Sequence, residues 1–194
     1  MFLSIDTFSD IFGLSIIRDD KVLAVREYLK LKPFSEMLIP EIQSLFDNLK
    51  IEISDLKGVA VNQGIGSNVG LRVGVITAKT LSFSLNIPLY YYRTLDIMIY
   101  KYRFFCGDVV AAVNVGNSMV AYKLNNEELT ISNYQDFEKH FKKRENTLIV
   151  EKNLNLNWSN SINLKTSLSV DGAFFAIKND LKADMFLFEP LYPV

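Results

Sequence analysis

The sequence predicts an α/β protein of two related lobes, each in the order strand, strand, strand, helix, strand, helix, with the second lobe reduced. Three observations carry this. Short runs rich in β-branched and aromatic residues, separated by polar turns, alternate with longer segments of helical spacing. The order of these segments in residues 1–105 returns in residues 106–194. Four of the nine glycines fall in one stretch, GIGSNVGLRVG at residues 64–74, between an apolar strand and a long helix.

Residues 2–6, 12–18 and 22–29 read as three strands joined by the short turns TFSD and DDK, which makes an antiparallel meander. Pro33 opens a helix that reaches Leu49, with Leu38, Ile42, Leu45, Phe46 and Leu49 at helical spacing. Lys57 to Gln63 is a fourth strand, and the glycine loop leads into a helix from Leu71 to Leu85. Ile87 to Tyr92 is a fifth strand, after which Thr94 is the expected cap of a helix to Phe104. The second half gives strands at 108–115, 118–124 and 128–132, with turns at Gly116-Asn117 and Asn125-Asn126. A helix from Tyr134 to Lys143 turns Phe137 and Phe141 to the core. A strand at 147–151, an irregular loop with five asparagines at 153–163 and a helix at 170–177 follow.

Lys and Arg number 21 against 22 Asp and Glu, so bulk charge offers no footprint for nucleic acid. No apolar run approaches the ~20 residues of a membrane span. No basic leader precedes the first strand, and the expected compartment is the cytoplasm. One Cys and one His leave no intrachain disulfide, no zinc cluster of cysteines and no His pair. Cys106 is expected as a small buried filler and His140 as a solvated residue on a charged helix. Neither a catalytic residue nor a metal site is expected.

Three antiparallel strands, a helix, a strand, a helix and a strand, given twice, is the plan of the actin-like ATPase (ASKHA, ribonuclease H-like) fold. There an Asp at the end of the first strand faces the nucleotide's metal, and Asp6 stands at that place. Asp6, Gly64, Gly66, Ser67 and Gly70 are therefore the candidate nucleotide site, at a helix start whose free N–H groups suit an anion. Working ATPases of this fold clamp phosphates between two glycine-rich hairpins. Here Phe8, Ser9 and Asp10 follow Asp6-Thr7, and the second half has only Gly107, Gly116 and Gly172. Independent ATP hydrolysis is not expected. The loop is one residue longer than the dinucleotide fingerprint, follows the fourth strand and lacks the P-loop Gly-Lys-Ser/Thr ending. Tyr90, Tyr91, Tyr92 and Tyr100, interleaved with Arg93, Lys101 and Arg103, suit either RNA stacking or the packing of a strand and helix.

IDT at residues 5–7, SEMLIP at 35–40, GIGSNVGLRVG at 64–74, IPLYYYRTLD at 87–96 and EPLY at 189–192 together resemble the TsaB (YeaZ) family of tRNA threonylcarbamoyladenosine biosynthesis proteins, in the TsaD-like superfamily. Gly64, Gly66, Ser67, Gly70, Leu71, Arg72 and Gly74 match its glycine loop. Ile65 and Val69 replace its usual Pro and Thr, Phe34 stands where His is frequent, and Asn114, Gly116 and Met119 replace an Asp, an Arg and a Glu.

The resemblance implies a non-catalytic subunit that dimerises with a TsaD-type catalytic subunit through N-lobe helices, joined by a TsaE-type ATPase. It implies tRNA contact only within that complex, and no membrane. It implies no cofactor of the chain's own, any ATP or ADP lying at the complex interface, and a homodimer when the chain is alone. The interface residues expected on this basis are Leu38 and Ile42 in the first helix and Leu71, Arg72, Gly74, Val75 and Ala78 in the second. Gly70 and Gly74, at i and i+4, would let that helix approach a neighbouring backbone. Val73, Ile76 and Phe83, off its core stripe, fit a helix covered by a partner. The alternative is a nucleotide-binding enzyme of the actin-like or sugar-kinase class using the Gly64–Gly70 loop.

Overall fold

The computed structural model describes residues 1–192, in two five-stranded sheets. The first comprises β1 (Phe2–Asp6), β2 (Ile11–Arg18), β3 (Lys21–Leu29), β4 (Gly58–Gly64) and β5 (Leu89–Arg93), in the order β3-β2-β1-β4-β5. β1 to β3 form the antiparallel meander, and β4 and β5 add in parallel. α1 (Phe34–Leu49), α2 (Asn68–Leu85) and α3 (Thr94–Lys101) connect and follow them. The second sheet comprises β6 (Asp108–Gly116), β7 (Met119–Leu124), β8 (Thr130–Asn133), β9 (Thr147–Lys152) and β10 (Ser161–Asn163), in the order β10-β9-β6-β7-β8. Strand for strand this repeats the first sheet. α4 (Tyr134–Phe141) takes the place of α1, and α5 (Ser169–Lys178) closes the second set.

The reduction of the second lobe has a definite location. Between β4 and β5 the chain builds α2, an 18-residue helix, whereas between β9 and β10 only the asparagine-rich segment intervenes. Leu154, Leu156 and Trp158 from that segment supply the apolar cover that a helix would give, packing with Phe137 and Phe141 of α4. His140 is exposed as expected, at the edge of this cluster with its ring 4.5 Å from that of Phe141.

Several elements depart from the sequence-based expectations. α2 begins at Asn68, three residues earlier than expected, because Gly70 lies inside the first helical turn rather than in the loop. Thr94 is the first residue of α3 and not its cap; its hydroxyl donates to the Asn62 side chain at 3.0 Å. α3 stops at Lys101, and residues 102–107 turn through solvent between the sheets, which leaves Cys106 exposed rather than buried. The two sheets share their helices. α5 leaves its own sheet and packs on β1, β2, β4 and β5, while α3 packs on β6 and β7. One apolar core therefore runs between the lobes, through Tyr92, Ile97, Met98, Val109, Val150 and Ala173. Tyr90 and Tyr92 lie in it, which removes both as base-stacking residues. No helix among the described residues is long and apolar enough to cross a membrane.

Candidate functional site

The glycine loop and the β1–β2 turn form a single structure. Ser67 N–H donates to the Phe8 carbonyl at 2.7 Å, and the Thr7 hydroxyl donates to the Gly70 carbonyl at 2.8 Å. A methyl group on Gly66 would overlap Phe8, and one on Gly70 or Gly74 would overlap Thr7. These glycines admit the chain's own hairpin at close range. Gly64, with φ +119°, turns the chain at the end of β4. The loop thus acts as a socket for Thr7 and Phe8, and the Ser67 N–H, which would otherwise face an anion, is already bonded.

Asp6 is fully buried at the end of β1. Its Oδ1 accepts from Asn62 Nδ2 at 2.9 Å and from Phe8 N–H at 3.4 Å, and its Oδ2 accepts from Leu168 N–H at 2.5 Å. Asn62 Oδ1 in turn accepts from Gly64 N–H and Thr94. Burial raises the Asp6 pKa to about 6, the three hydrogen bonds opposing the rise. Glu27 Oε1 accepts from both the N–H and the hydroxyl of Ser167, beside Leu168. Two carboxylates of the first sheet therefore hold the start of α5. Asp6 does not face an open cleft as the fold plan led us to expect.

The cleft between the β1–β2 and β6–β7 hairpins holds a cavity of about 450 Å³, lined by Ser9, Asp10, Lys30, Asn68 and Asn114 among others. Next to it the buried Lys152 pairs with Asp10 at 2.9 Å and donates to the Leu164 carbonyl at 3.2 Å. Asp10 is half exposed and presents negative charge where a phosphate would lie. Several groups expected to meet a nucleotide are engaged within the chain: Asp6 by Asn62 and two backbone N–H groups, Ser67 N–H by Phe8 and Lys152 by Asp10, while Lys30 also lines the cavity. Among the described residues no group of three or more His, Cys, Asp or Glu side chains is placed to hold a metal.

The expected interface residues divide sharply. Leu38, Ile42, Leu71, Gly74, Val75 and Ala78 are buried within the chain's own core against the first sheet, so they are not a partner surface. The close approach permitted by Gly70 and Gly74 is to Thr7, not to another molecule. Arg72 is exposed. The outer face of α2 carries Val69, Ile76 and Phe83, 65%, 63% and 64% exposed, at i, i+7 and i+14 on one stripe. The C-terminal segment runs beside it. Lys79 donates to the Phe188 carbonyl at 2.9 Å, Leu191 N–H to the Gln63 carbonyl at 2.7 Å, and Arg72 to the Tyr192 hydroxyl. Phe186 and Leu187 in that segment are each 80% exposed. Sequence reasoning missed Asn62, Lys152 and Leu168. Asn62 alone left a trace, as a polar residue within an apolar strand.

Comparison with known proteins agrees with this architecture. The fold is similar to that of YeaZ from Pseudomonas aeruginosa, with a TM-score of 0.79 at 15% identity, covering 99% of both chains. In sequence the chain is 37% identical over 106 residues to the tRNA threonylcarbamoyladenosine biosynthesis protein TsaB of Bacillus subtilis (strain 168), over 54% of this chain and 46% of that one. It is 32% identical over 99 residues to the TsaB protein of Buchnera aphidicola subsp. Schizaphis graminum (strain Sg), over 51% and 47% of the two chains. The matches thus span about half the length of these relatives. The family model for TsaD, tRNA N6-adenosine threonylcarbamoyltransferase, matches residues 29–178, and so most of the chain. The protein therefore belongs to the TsaD family.

Proposed function

We propose that this chain is a non-catalytic, accessory subunit in the synthesis of threonylcarbamoyladenosine on tRNA, and that it dimerises with a TsaD-type catalytic subunit through the outer face of α2. The observation that carries this reading is the solvent-exposed stripe Val69, Ile76 and Phe83 on a helix whose other side is already packed on β4. Large apolar side chains in line on one helix face are the anchors of a helix-in-groove or helix-pair interface. The TsaB relatives supply the pathway. The accessory role is supported by the cleft, where the groups that would meet a nucleotide are bonded to the chain itself. For the same reason the nucleotide-binding enzyme has no favouring geometry at Gly64–Gly70.

In this reading ATP or ADP belongs to the boundary with the partner, a TsaE-type ATPase joins the pair, tRNA is met within the assembly, and the compartment is the cytoplasm. The test is the light-scattering mass of the chain mixed with the TsaD-type subunit of the same organism. A one-to-one complex that Ile76→Glu abolishes is the expected result. Absence of any complex at micromolar concentration would sink the proposal.

A further inference from the structure

The core takes Tyr90 and Tyr92 but leaves the end of the same aromatic and basic stretch at the surface. α3 ends at Lys101, and the chain then turns on its own backbone bonds. Tyr102 N–H donates to the Ile99 carbonyl and Phe105 N–H to the Tyr102 carbonyl, both at 3.0 Å. The turn leaves Phe104 81% and Phe105 41% exposed. Arg103 lies against two rings: its guanidinium is 4.0 Å from the centre of the Tyr100 ring and 4.4 Å from that of Phe104. Its Nη1 also donates to the Tyr100 carbonyl at 2.7 Å. Gly107 packs closely on the Asn146 carbonyl and the Phe105 ring, which brings the turn between α4 and β9, with Lys143 and Arg144, to the same surface. On the other flank Tyr100 meets Phe175 of α5 edge-on at 5.1 Å. A cavity of about 550 Å³ beside it is lined by Phe174, Ile177 and Lys178, and also by Asp19 and Asp20 of the β2–β3 turn.

We propose that this turn is a stacking surface for unpaired RNA bases, through which the chain meets tRNA inside the assembly; the identity of the RNA rests on the accessory-subunit reading above. A wholly apolar knob would suit a groove on a protein. Here cations stand beside the rings instead, Arg103 against Tyr100 and Phe104, and Lys178 beside Phe174. Arg103, Lys143 and Lys178 make no salt bridge among the described residues. An exposed ring offers its face to any base, and a neighbouring cation holds the flanking phosphate. Base pairs in a duplex keep their faces in the stack, so displayed rings select unpaired bases. Asp19 and Asp20 keep phosphate away from the far flank and can accept from the amino groups of a base edge. The chain's net charge of -1 gives no bulk attraction to RNA, so the contact is local and adds to those of the other subunits. The turn lies on the α5 side of the first sheet and α2 on the other, so both surfaces can be occupied together.

Fluorescence anisotropy of labelled tRNA, titrated with the chain bound to its TsaD-type subunit, tests this. Phe104→Ala should weaken tRNA binding at least about fivefold. Phe104→Leu, apolar but unable to stack, should weaken it as well, and Phe104→Trp should retain it. Phe104 projects into solvent, so all three variants should keep the melting temperature and the mass of the protein complex. Equal tRNA affinity of the wild type and Phe104→Ala would overturn the proposal. So would wild-type affinity in Phe104→Leu, because apolar contact would then suffice. Loss of the TsaD-type complex in Phe104→Ala would give the turn to a protein partner and overturn it too. Where light scattering shows no TsaD-type complex at all, the accessory reading fails, and the same titration with the chain alone decides the stacking surface. Binding that depends on Phe104 upholds it; binding that does not, or none, overturns it.

Discussion

Arg72 donates from Nε to the Tyr192 hydroxyl at 2.8 Å, and its guanidinium lies 5.2 Å from the centre of the tyrosine ring. The contact joins the glycine-loop motif to the EPLY motif across 120 residues of sequence. It lies beside the exposed stripe of α2, so it fixes the chain's C-terminal segment along one flank of that face. Tyr192→Phe removes the hydrogen bond and keeps the ring. Because the pair is exposed, the change in global stability should stay within about 1 kcal/mol. The amide of Leu191, bonded to Gln63, should exchange faster by hydrogen–deuterium exchange, while the α2 amides keep their protection.

Thr7 sits where Gly70 and Gly74 leave room for it, and this defines a second experiment. Gly74→Ala places a methyl group against the Thr7 side chain in a close-packed core. A gain in helix propensity of roughly 1 kcal/mol would stabilise an unobstructed site. Overpacking costs about 1–3 kcal/mol, so the net effect should be destabilising. Gly74→Ala combined with Thr7→Ala, which deletes the opposing hydroxyl, should differ from the sum of the single effects, since the residues share one contact. Urea unfolding of the four proteins of the cycle measures this; strict additivity would mean that Thr7 and Gly74 do not share a contact.

How far the fold could be read from the residues follows from which signals are local. Strand and helix order is set by periodicity along the chain, and the repeated strand plan was legible for that reason. Gly70 misled because glycine is common both in loops and at close contacts, and only the position of Thr7 distinguishes them. The faces of α2 could not be ranked: Val75 and Ile76 are both aliphatic, and which one meets the sheet depends on where the helix starts. Asp6 was placed correctly at the end of β1. Its bond to Leu168, 162 residues away, has no trace near either residue. The return of α5 to the first sheet is likewise a tertiary choice, made by packing on Tyr92 and its neighbours.

Asp6 should impose a pH dependence on stability. Its folded pKa of about 6 lies above the ordinary value of 3.8, so the folded state holds the proton more tightly than the unfolded chain. Its contribution is therefore most favourable below pH 4, falls as pH rises between about 4 and 6, and is level above that. The span corresponds to roughly 3 kcal/mol at 1.36 kcal/mol per unit. Asp6→Asn should abolish this component. Unfolding free energies of the two proteins from pH 4 to 7 should converge or cross as pH rises, by about that amount. A parallel pair of pH profiles would show that Asp6 titrates alike in both states.

Val75 and Ile76 are adjacent in sequence and opposite in consequence. Val75 is 1% exposed and packs in the first-sheet core, whereas Ile76 is 63% exposed. Val75→Ala removes buried methyl groups and should cost about 2 kcal/mol of stability. It should weaken a TsaD-type complex only as far as it unfolds the chain. Ile76→Ala should leave stability within about 0.5 kcal/mol. If the α2 stripe is the partner surface, an anchor at its centre should cost association about tenfold or more. Chemical denaturation and calorimetric titration on the same two variants separate the effects. The reverse pattern, with Ile76→Ala silent in binding and Val75→Ala selectively impaired while folded, would return the interface to the buried face and overturn the assignment of this helix.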